Sequence, residues 1–522
     1  MCSSRSLQSD LESKVISGVA EGVPFGLAHE TEGCRSICPK LRLHSLCLPI
    51  SKLPNELLVK IIYLSLYGLD DEYFIHLRTL SQVSTLWYDL VKHAPTLWGY
   101  AHSEHTTTEI ELALRRSKGA LIDVVYVALG GDERLLETAF QERSRWRSFK
   151  YESHSADLLL RYLNPGSFER LEEVDLMHSW TGEPPLLLEN VSRRQIPRLR
   201  HLRLSNIVIA WDSDILSRLD TLSLTVHHYD FGPSIEQVIA ILRASPGLTS
   251  FRLRCQELQP GAPYSPTIIT LPKLHTLALF LEVWKTGQLL ACLDVPLCRR
   301  FDLLFPREFP FGRDASKTFH TGGDKILSSM LTSAKKIHLN VSLLKAEFEW
   351  WTTSEDDGSW PLESTIHWVQ PMGGVHPHLL KLLPNYTLPV VRLVVDHDGT
   401  WSIHAMTPLL STLPSVITLV VKTAHPRDLI LDLSSPQSSP SKGWLLPRLQ
   451  SLEISVVPAD RDLLLGMVQA RHGGIDLAKL AEVDGALPSR LKSIAVMGFG
   501  WKDVDLTYLR ENLAEVDWSI VI

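Results

Sequence analysis

Several residues in the chain are of types that bind metals, and their spacing decides whether a metal site is expected. Cys34, Cys38 and Cys47, together with His44, would supply the sulfur and nitrogen ligands that zinc prefers. Tight zinc sites usually carry paired cysteines two to four residues apart in both halves of the site, and this segment does not. The spacing therefore does not support a zinc site, and we expect neither a metal nor a cofactor.

Other residues are of types that transfer protons or bind phosphate. The cluster Asp396-His397-Asp398-Gly399 directly follows the apolar run from Val390 to Val395 and ends in glycine, which is typical of a turn. The pairs Gly130-Gly131, Gly322-Gly323 and Gly373-Gly374 lack the Lys-Ser/Thr or the third glycine of a phosphate-binding loop. Neither a nucleophile elbow nor a zinc-protease helix motif occurs. We therefore predict that the chain is not an enzyme.

Composition and length limit the class of protein further. The chain has 522 residues, 44% of them apolar and 21% charged, which is long enough for two or more globular domains. Its net charge of -7 argues against a general nucleic-acid binder. No apolar run reaches the roughly eighteen residues of a membrane span, and no signal peptide is visible at the start. The seven cysteines are few and scattered, so we expect them to be reduced and the protein to be cytoplasmic or nuclear.

The elements that organise the chain begin with the stretch from Leu53 to Tyr100. Pro54 can occupy the first position of a helix, and the charge of Glu56 interacts favourably with the first turn. Leu57, Ile61 and Leu64 then recur at helical spacing. The neighbours Leu58 and Ile62 widen this apolar face, so the helix needs cover on two sides.

A second helical series follows the break at residues 68–71. Its apolar side runs through Leu77, Leu80, Ser84, Trp87 and Val91. Pro95 ends this helix, and Thr96-Leu97-Trp98 forms a short third element. A three-helix unit of about fifty residues rarely has enough core to be stable alone, so we expect it to depend on a partner.

This stretch resembles an F-box, whose pattern opens with Leu-Pro-x-Glu-Leu/Ile-Leu, continues to Val-x-x-x-Trp and closes near Pro-x-Leu-Trp. The resemblance covers about a tenth of the chain. It implies docking on a Skp-type adaptor of a cullin ubiquitin ligase, with some matching residues at that interface and others holding the helices together. The residues placed at or beside the interface are Leu53, Pro54, Ile61, Ile62, Leu80, Val83, Trp87, Leu97 and Trp98. The connection from Gly68 to Phe74 departs from the family pattern, because it is longer and more acidic than the family turn. The alternative interpretation of the whole stretch is a helical bundle that caps a larger domain.

After the F-box-like stretch, an apolar residue is followed by another three positions later and a third two positions after that. The copies begin at Leu171, Leu199, Leu219, Leu248, Leu274, Cys298, Ala334, Val390, Val416, Leu449 and Leu491, with weaker ones at Leu121 and Trp146. We expect the last two residues of each copy on one face of a short strand, and crossover helices such as Ile235 to Ala244 between copies. The pattern resembles leucine-rich repeats, although Ile207, Glu282 and Val457 stand where the usual asparagine is expected.

These patterns predict an α/β chain in which a small three-helix F-box precedes an irregular right-handed leucine-rich-repeat-like solenoid. The expected division is a flexible leader at 1–46, the F-box at 47–100 and the solenoid at 101–522. Early in the last region, Thr108 to Glu111 is typical of a capping box, and Gly119 is expected to end that helix. A long insert at 340–389 contains Phe348-Glu349-Trp350-Trp351, which is either a target-binding loop or a surface loop folded back on the repeats.

The segment Arg145-Trp146-Arg147-Ser148-Phe149 stands about sixty residues after Trp87, a layout similar to that of the large fungal F-box families. The resemblances imply a substrate receptor for protein ubiquitination, in which the F-box docks on the Skp adaptor and the solenoid binds an unknown target protein. The alternative is an interaction scaffold without ubiquitin transfer. A hydrolase or transferase with an accessory solenoid is disfavoured because its motifs are missing. Neither nucleic acid nor membrane is an expected partner.

Overall fold

The computed structural model describes a subset of the chain, in segments separated by gaps. The described residues are 49–66, 68–127, 133–163, 166–179, 184–188, 191–255, 258–259, 267–305, 336–341, 345–351, 363–369, 389–397, 407–423, 426–436, 444–456, 458–472, 488–497 and 503–519. The expected leader, the cysteine and histidine set around Cys38, the three glycine pairs and Asp398 lie outside these residues. The chain is mixed α/β with a large parallel sheet, which confirms the α/β class that the sequence predicts.

The chain divides into two compact units. The first comprises Met1–Ser179 and Arg193–Leu199, and the second comprises Trp180–Ser192 and Arg200–Ile522. Helices come first in the first unit, and strands alternate with helices after them. Its elements are α1 Asn55–Leu66, α2 Tyr73–Ser81, α3 Thr85–His93, a 3-10 turn Pro95–Trp98, β1 Tyr100–His102, α4 Thr107–Ser117, β2 Ile122–Val127, α5 Arg134–Phe140, β3 Trp146–Ser153, α6 Ala156–Leu163 and β4 Glu173–His178.

Strands β1 to β4 pair side by side in chain order, and every pairing is parallel. Helices α4, α5 and α6 connect them, as parallel strands require. Gly99 joins the 3-10 turn to β1, and a β-carbon there would clash with the carbonyl of Leu121. The helical segment therefore enters the sheet through a point where a side chain does not fit.

The boundaries of α4 differ from the sequence prediction at both ends. The N-cap is Thr106, whose hydroxyl accepts a hydrogen bond from the Glu109 amide at 3.3 Å while the Glu109 carboxylate accepts one from the Thr106 amide at 2.9 Å. The prediction at Thr108 was therefore wrong by two residues, because both pairs have capping-box spacing and only the longer helix uses the first. At the other end Lys118, with φ of 50°, takes the left-handed position expected for Gly119.

The second unit contains most of the strands. Its elements are β5 Leu186–Leu188, β6 His201–Ser205, β7 Ile207–Ile209, β8 Thr221–Val226, α7 Ile235–Ala244, β9 Ser250–Cys255, β10 Ile269–Thr270, β11 Thr276–Phe280, α8 Val283–Ala291, β12 Leu293–Asp294, β13 Arg300–Phe305, β14 Lys336–Val341, β15 Lys345–Trp351, β16 Glu363–Val369, β17 Arg392–His397, α9 Thr407–Leu410, β18 Thr418–Thr423, α10 Arg427–Ser434, β19 Ser451–Ser455, α11 Arg461–Arg471, β20 Ser493–Met497, α12 Asp503–Asn512 and β21 Glu515–Ser519.

The main sheet of this unit is parallel except around one strand. Its order is β6-β8-β9-β11-β13-β16-β15-β14-β17-β18-β19-β20-β21, and β15 alone in this order runs antiparallel to both of its neighbours. Two short parallel pairs, β5 with β7 and β10 with β12, lie outside this order. The strand order therefore reverses locally between β13 and β17.

The repeated apolar spacing of the sequence is confirmed by the register of the strands. The middle residues of five successive copies are aligned across β6, β8, β9, β11 and β13 as Leu202, Leu222, Phe251, Leu277 and Phe301. All five are buried. Helix α7 follows the N-cap Ser234 as expected and buries Ile235, Val238, Ile239 and Leu242. A further copy at Leu513, Val516 and Trp518 has the same spacing but was missed, and it forms β21.

The described part of the insert at 340–389 is not a loop. Phe348 to Trp351 belong to β15, which pairs with β14 on one side and with β16 on the other. The prediction of a loop is therefore wrong at residues 345–351, and target binding by this segment stays a prediction. Aromatic residues favour strands, and here that preference is satisfied by a complete set of ladder partners.

Candidate protein-docking surface

The first three helices share one core with the elements that follow them. The buried side chains of this cluster are Leu58, Ile62, Leu66, Tyr73, Phe74, Leu77, Leu90, Val91, Leu97, Trp98, Leu112 and Ala113. The last two belong to α4, so the helical segment is covered on one side by its own chain. The sequence predicts that so small a unit depends on a partner for its stability, and α4 supplies part of the missing apolar contact.

The structure separates the nine predicted interface residues by burial. Ile62, Leu97 and Trp98 are buried in the shared core, and Leu80 and Trp87 are half-buried against it. Their side chains hold the helices together in this chain. Leu53, Pro54, Ile61 and Val83 are exposed, and they remain candidates for contact with another protein.

Trp98 is fixed by a hydrogen bond that the neighbouring proline makes necessary. The Val91 carbonyl would accept a helical hydrogen bond from residue 95, but Pro95 has no N–H to donate. The Trp98 indole Nε1–H donates to this carbonyl instead, at 2.6 Å. Phe74 lies beside the indole with ring centroids 5.9 Å apart, and the Arg116 guanidinium lies 4.5 Å from the ring centre. Trp98 therefore stabilises the end of α3 and cannot be reached from outside without unfolding it.

One face of α1 is apolar and exposed. Leu57, Ile61 and Leu64 expose 48%, 41% and 59% of their surface, and Leu53 just before the helix exposes 36%. Spacings of four, four and three residues put these side chains next to one another along the helix. We call Leu53, Leu57, Ile61 and Leu64 the α1 stripe. Sequence reasoning assigned only two of them to the interface, although the spacing of the other two was visible.

The opposite face of α1 explains why the α1 stripe points outwards. Leu58, Ile62 and Leu66 recur at four-residue spacing and are all buried in the shared core. Because the helix is apolar on two faces and the described residues cover only one, the other is exposed to water. Exposed apolar residues in a row on one helix are typical of a binding surface for another protein.

Three further apolar side chains are exposed elsewhere on the helical segment. Ile75 on α2, Val83 in the link to α3 and Tyr88 on α3 each expose half or more of their surface. The Lys92 amine lies 5.6 Å from the centre of the Tyr88 ring. The link itself is held by Ser84, whose hydroxyl accepts a hydrogen bond from the Trp87 amide at 3.3 Å.

Polar contacts join α1 to the strands of the first unit. The Arg147 guanidinium on β3 donates a hydrogen bond to the Tyr63 hydroxyl on α1 at 2.8 Å. The same guanidinium forms a two-point ion pair with the Asp123 carboxylate on β2, one of its two contacts being 3.0 Å long. The Ser148 hydroxyl also donates to Asp123, at 2.8 Å. Helix α1 is therefore held at a defined position on the sheet rather than tethered loosely.

The long connection from Gly68 to Phe74, where the sequence departs from the F-box pattern, is also anchored. Its backbone is left-handed at Gly68 and at Asp70, with φ of 83° and 35°. The Tyr100 hydroxyl donates to the Asp70 carboxylate at 3.0 Å, and the Tyr73 hydroxyl donates to the Leu97 carbonyl at 3.0 Å. The two tyrosine rings stack with centroids 4.6 Å apart, and burial raises the pKa of both well above its usual range.

Groups that bind metals or transfer protons would form a different class of candidate site. Within the described segments, no three His, Cys, Asp or Glu side chains lie close enough together to hold a metal ion. Asp396 and His397 end β17 and are aligned with Lys422 and Thr423 of β18, while the rest of that cluster is outside the description. The α1 stripe is thus the candidate site that the geometry supports best.

Among the helices described, none is both long and apolar enough to cross a lipid bilayer. Comparison of the sequence with protein-family models and with curated proteins found no match.

Proposed function

We propose that the chain is the substrate receptor of an SCF-type cullin ubiquitin ligase, with its first three helices acting as an F-box that docks on a Skp-type adaptor. The observation that carries this proposal is the α1 stripe, an exposed apolar face on the segment with the F-box pattern. In the proposal, the repeated strands and helices form a leucine-rich-repeat-like solenoid that binds a target protein. The compartment is the cytoplasm or the nucleus.

The size of the α1 stripe is consistent with a docking contribution. Full burial of a leucine or isoleucine side chain stabilises by about 1.5 to 3 kcal/mol. The four side chains start roughly half-buried, so covering them would contribute about 1 kcal/mol each before the costs of association. Stable interfaces bury about 800 Å² on each partner, more than four side chains supply. Ile75, Val83 and the exposed side of Trp87 are candidates for the remainder.

The mechanism that follows is proximity. The chain would hold a lysine of its target near the ubiquitin-conjugating enzyme, which raises the effective concentration of the two reacting groups. No catalytic group in this chain is needed, because the chemistry occurs on the partner enzymes. The alternative is a scaffold that binds the adaptor, or nothing, without ubiquitin transfer.

The docking proposal is tested with charges placed on the α1 stripe. Leu57→Asp with Leu64→Asp introduces two carboxylates where the adaptor would remove water, and we expect binding to a purified Skp-type adaptor to weaken at least about a hundredfold. Both side chains are largely exposed, so the fold should tolerate the change. The matched control is Ile268→Asp with Leu431→Asp, which alters two exposed apolar residues of the second unit.

Two outcomes oppose the proposal. Unchanged adaptor binding by the Leu57→Asp, Leu64→Asp variant would show that the α1 stripe is not the docking surface, and no binding by the unaltered chain would remove the F-box function. Receptor and scaffold are then separated by asking whether a cullin co-purifies with the chain and whether a reconstituted ligase transfers ubiquitin to a captured protein. The Leu57→Asp, Leu64→Asp variant tests docking more directly than Trp87→Ala would. Loss of the Trp87 ring would also disturb the core, against which it packs.

A further inference from the structure

A second surface lies on the open face of the parallel sheet, in the second unit. On β9, Phe251, Leu253 and Cys255 are fully buried, whereas Arg252 and Arg254 between them are exposed. Because side chains alternate along a strand, both arginines project from the face of the sheet that is not packed against the core. We call this pair the β9 arginines.

The residues beside the β9 arginines on the two neighbouring strands are mostly small. By register, Arg252 lies between Ser223 of β8 and Ala278 of β11, and Arg254 lies between Thr225 and Phe280. Neighbouring strands are about 4.8 Å apart, and Ser223, Thr225 and Ala278 are small, so they leave space for a backbone to approach the arginines closely. The Arg254 guanidinium carbon lies 4.7 Å from the centre of the Phe280 ring, which holds it against the sheet.

The charge of this surface is opposite to that of the chain. Strands β6, β8, β9 and β11 contain three arginines and one histidine, and no aspartate or glutamate, in a chain of net charge -7. On the next strand, β13, the Asp302 carboxylate is already paired with the Arg300 guanidinium at 3.3 Å. Burial, and secondly the charge of Arg254, lower the pKa of His227. The β9 arginines therefore make a positive surface on an otherwise acidic protein.

We propose that the β9 arginines bind an extended acidic segment of a protein, with carboxylates on alternate residues. Residues two apart on a strand are about 6.6 Å apart, so carboxylates at positions i and i+2 of an extended segment would match the two guanidinium groups. Arginine binds carboxylate through two parallel hydrogen bonds, which favours this pairing. A nucleic acid is a poorer fit, because the net charge of the chain repels a long polyanion and two phosphate contacts give weak binding.

This inference names the chemistry of the target left open by the proposed function, and to that extent rests on it. The binding itself needs no adaptor and lies on the second unit alone. Loss of adaptor binding on altering the α1 stripe and loss of acidic-segment binding on altering the β9 arginines are therefore separate results.

The test measures binding of a defined probe to the full chain. The probe is a short fluorescein-labelled peptide with glutamate at every second position and serine between, and its anisotropy is followed at low salt. We expect saturable binding that weakens with salt and falls at least about tenfold in Arg252→Gln with Arg254→Gln. The control Arg243→Gln with Arg427→Gln removes two exposed arginines from α7 and α10 and should change the affinity less than twofold.

A second variant tests the same surface without removing an arginine. Ser223→Glu places a carboxylate next to Arg252, and we expect it to weaken binding of the probe about tenfold while thermal melting stays unchanged. The proposal is overturned if the probe does not bind, if the β9 variant binds it as well as the control does, or if a glutamine version of the probe binds equally. Tighter binding of a single-stranded oligonucleotide at the same salt would also overturn it and assign the surface to nucleic acid.

Discussion

Replacement of Arg471 by methionine tests how a buried cation stabilises the second unit. The Arg471 side chain is only 2% exposed, at the end of α11. Its Nε donates to the Leu433 carbonyl at 3.1 Å, its Nη1 to the Leu446 carbonyl at 3.2 Å and its Nη2 to the Leu445 carbonyl at 2.5 Å. Leu433 lies in the last turn of α10, where carbonyls lack helical partners. One guanidinium thus joins the ends of two helices and the turn before β19.

The cost of removing this side chain follows from two opposing effects. Methionine fills a similar volume but leaves three buried carbonyls without donors, at about 2 kcal/mol each. Burial lowers the pKa of Arg471 from its usual range to about 10, which corresponds to about 3 kcal/mol against the charged form that methionine would relieve. The difference predicts that Arg471→Met destabilises the region by about 3 kcal/mol.

Amide hydrogen exchange on the full chain measures this loss locally. We expect amides of α11 and β19 to exchange about a hundredfold faster in Arg471→Met, and those of the first unit to be unchanged. The control is Arg461→Met on the same helix, where the guanidinium forms an ion pair with its neighbour Asp462 at 3.4 Å, and the change should stay within about 0.5 kcal/mol. Equal exchange in the two variants would refute the reasoning.

The lowered pKa of Arg471 also fixes the sign of a pH effect. In a window that opens at about pH 10, the unfolded chain holds this proton more tightly than the folded chain does. The contribution of Arg471 to the free energy of unfolding therefore rises with pH in that window. At neutral pH the guanidinium is charged in both states, so Arg471 contributes no pH dependence there.

Three further predictions concern single residues. Trp98→Phe removes the donor to the Val91 carbonyl and part of the buried ring, and it should lower the free energy of unfolding of the first unit by about 2 to 3 kcal/mol in urea titrations. Thr106→Ala should destabilise α4 by about 1 kcal/mol while Thr108→Ala changes stability by less than about 0.5, as measured by hydrogen exchange. Burial raises the pKa of the Cys298 thiol to about 12, so its alkylation at pH 8, followed by peptide mapping, should be about a thousandfold slower than that of a free cysteine.

Each of these predictions has a contrary result. Full stability in Trp98→Phe would mean that the Val91 carbonyl finds another donor. Equal effects of Thr106→Ala and Thr108→Ala would contradict the assignment of the N-cap to Thr106. Labelling of Cys298 at the rate of a free thiol would show that its surroundings open on the timescale of the reaction.

The sequence predicts the repeated strands well because their spacing is a local property. Leu202 and Leu204 face the core for the same reason that Leu222 and Leu224 do, since the strand period is two residues and each copy restarts in register. The order of β14, β15 and β16 was not predicted, because it depends on the parallel pairing of β13 with β16 and of β14 with β17, which are far apart in the chain. The copy at Leu513, Val516 and Trp518, which forms β21, has the same local spacing.

The candidate site was predicted only in part, and the reason lies in adjacent apolar residues. Ile61 and Ile62 are identical in type, and periodicity shows that they lie on different faces of α1 but not which face the chain covers. The cover is supplied by Leu112 and Ala113 of α4, fifty residues later. Exposure of Leu57 and Leu64 therefore follows from tertiary packing, and a local pattern does not contain it.

The reversed strand order has a consequence during synthesis on the ribosome. The partner of β13 on its far side is β16, which begins at Glu363, while β13 ends at Phe305. At about 5 to 20 residues per second, synthesis from residue 305 to residue 363 takes roughly 3 to 12 s. During this time the amides and carbonyls along one edge of β13 are unpaired. Such an edge is a template for pairing with other nascent chains. A nascent chain paused before residue 363 is therefore the form of this protein for which we expect a chaperone to matter most.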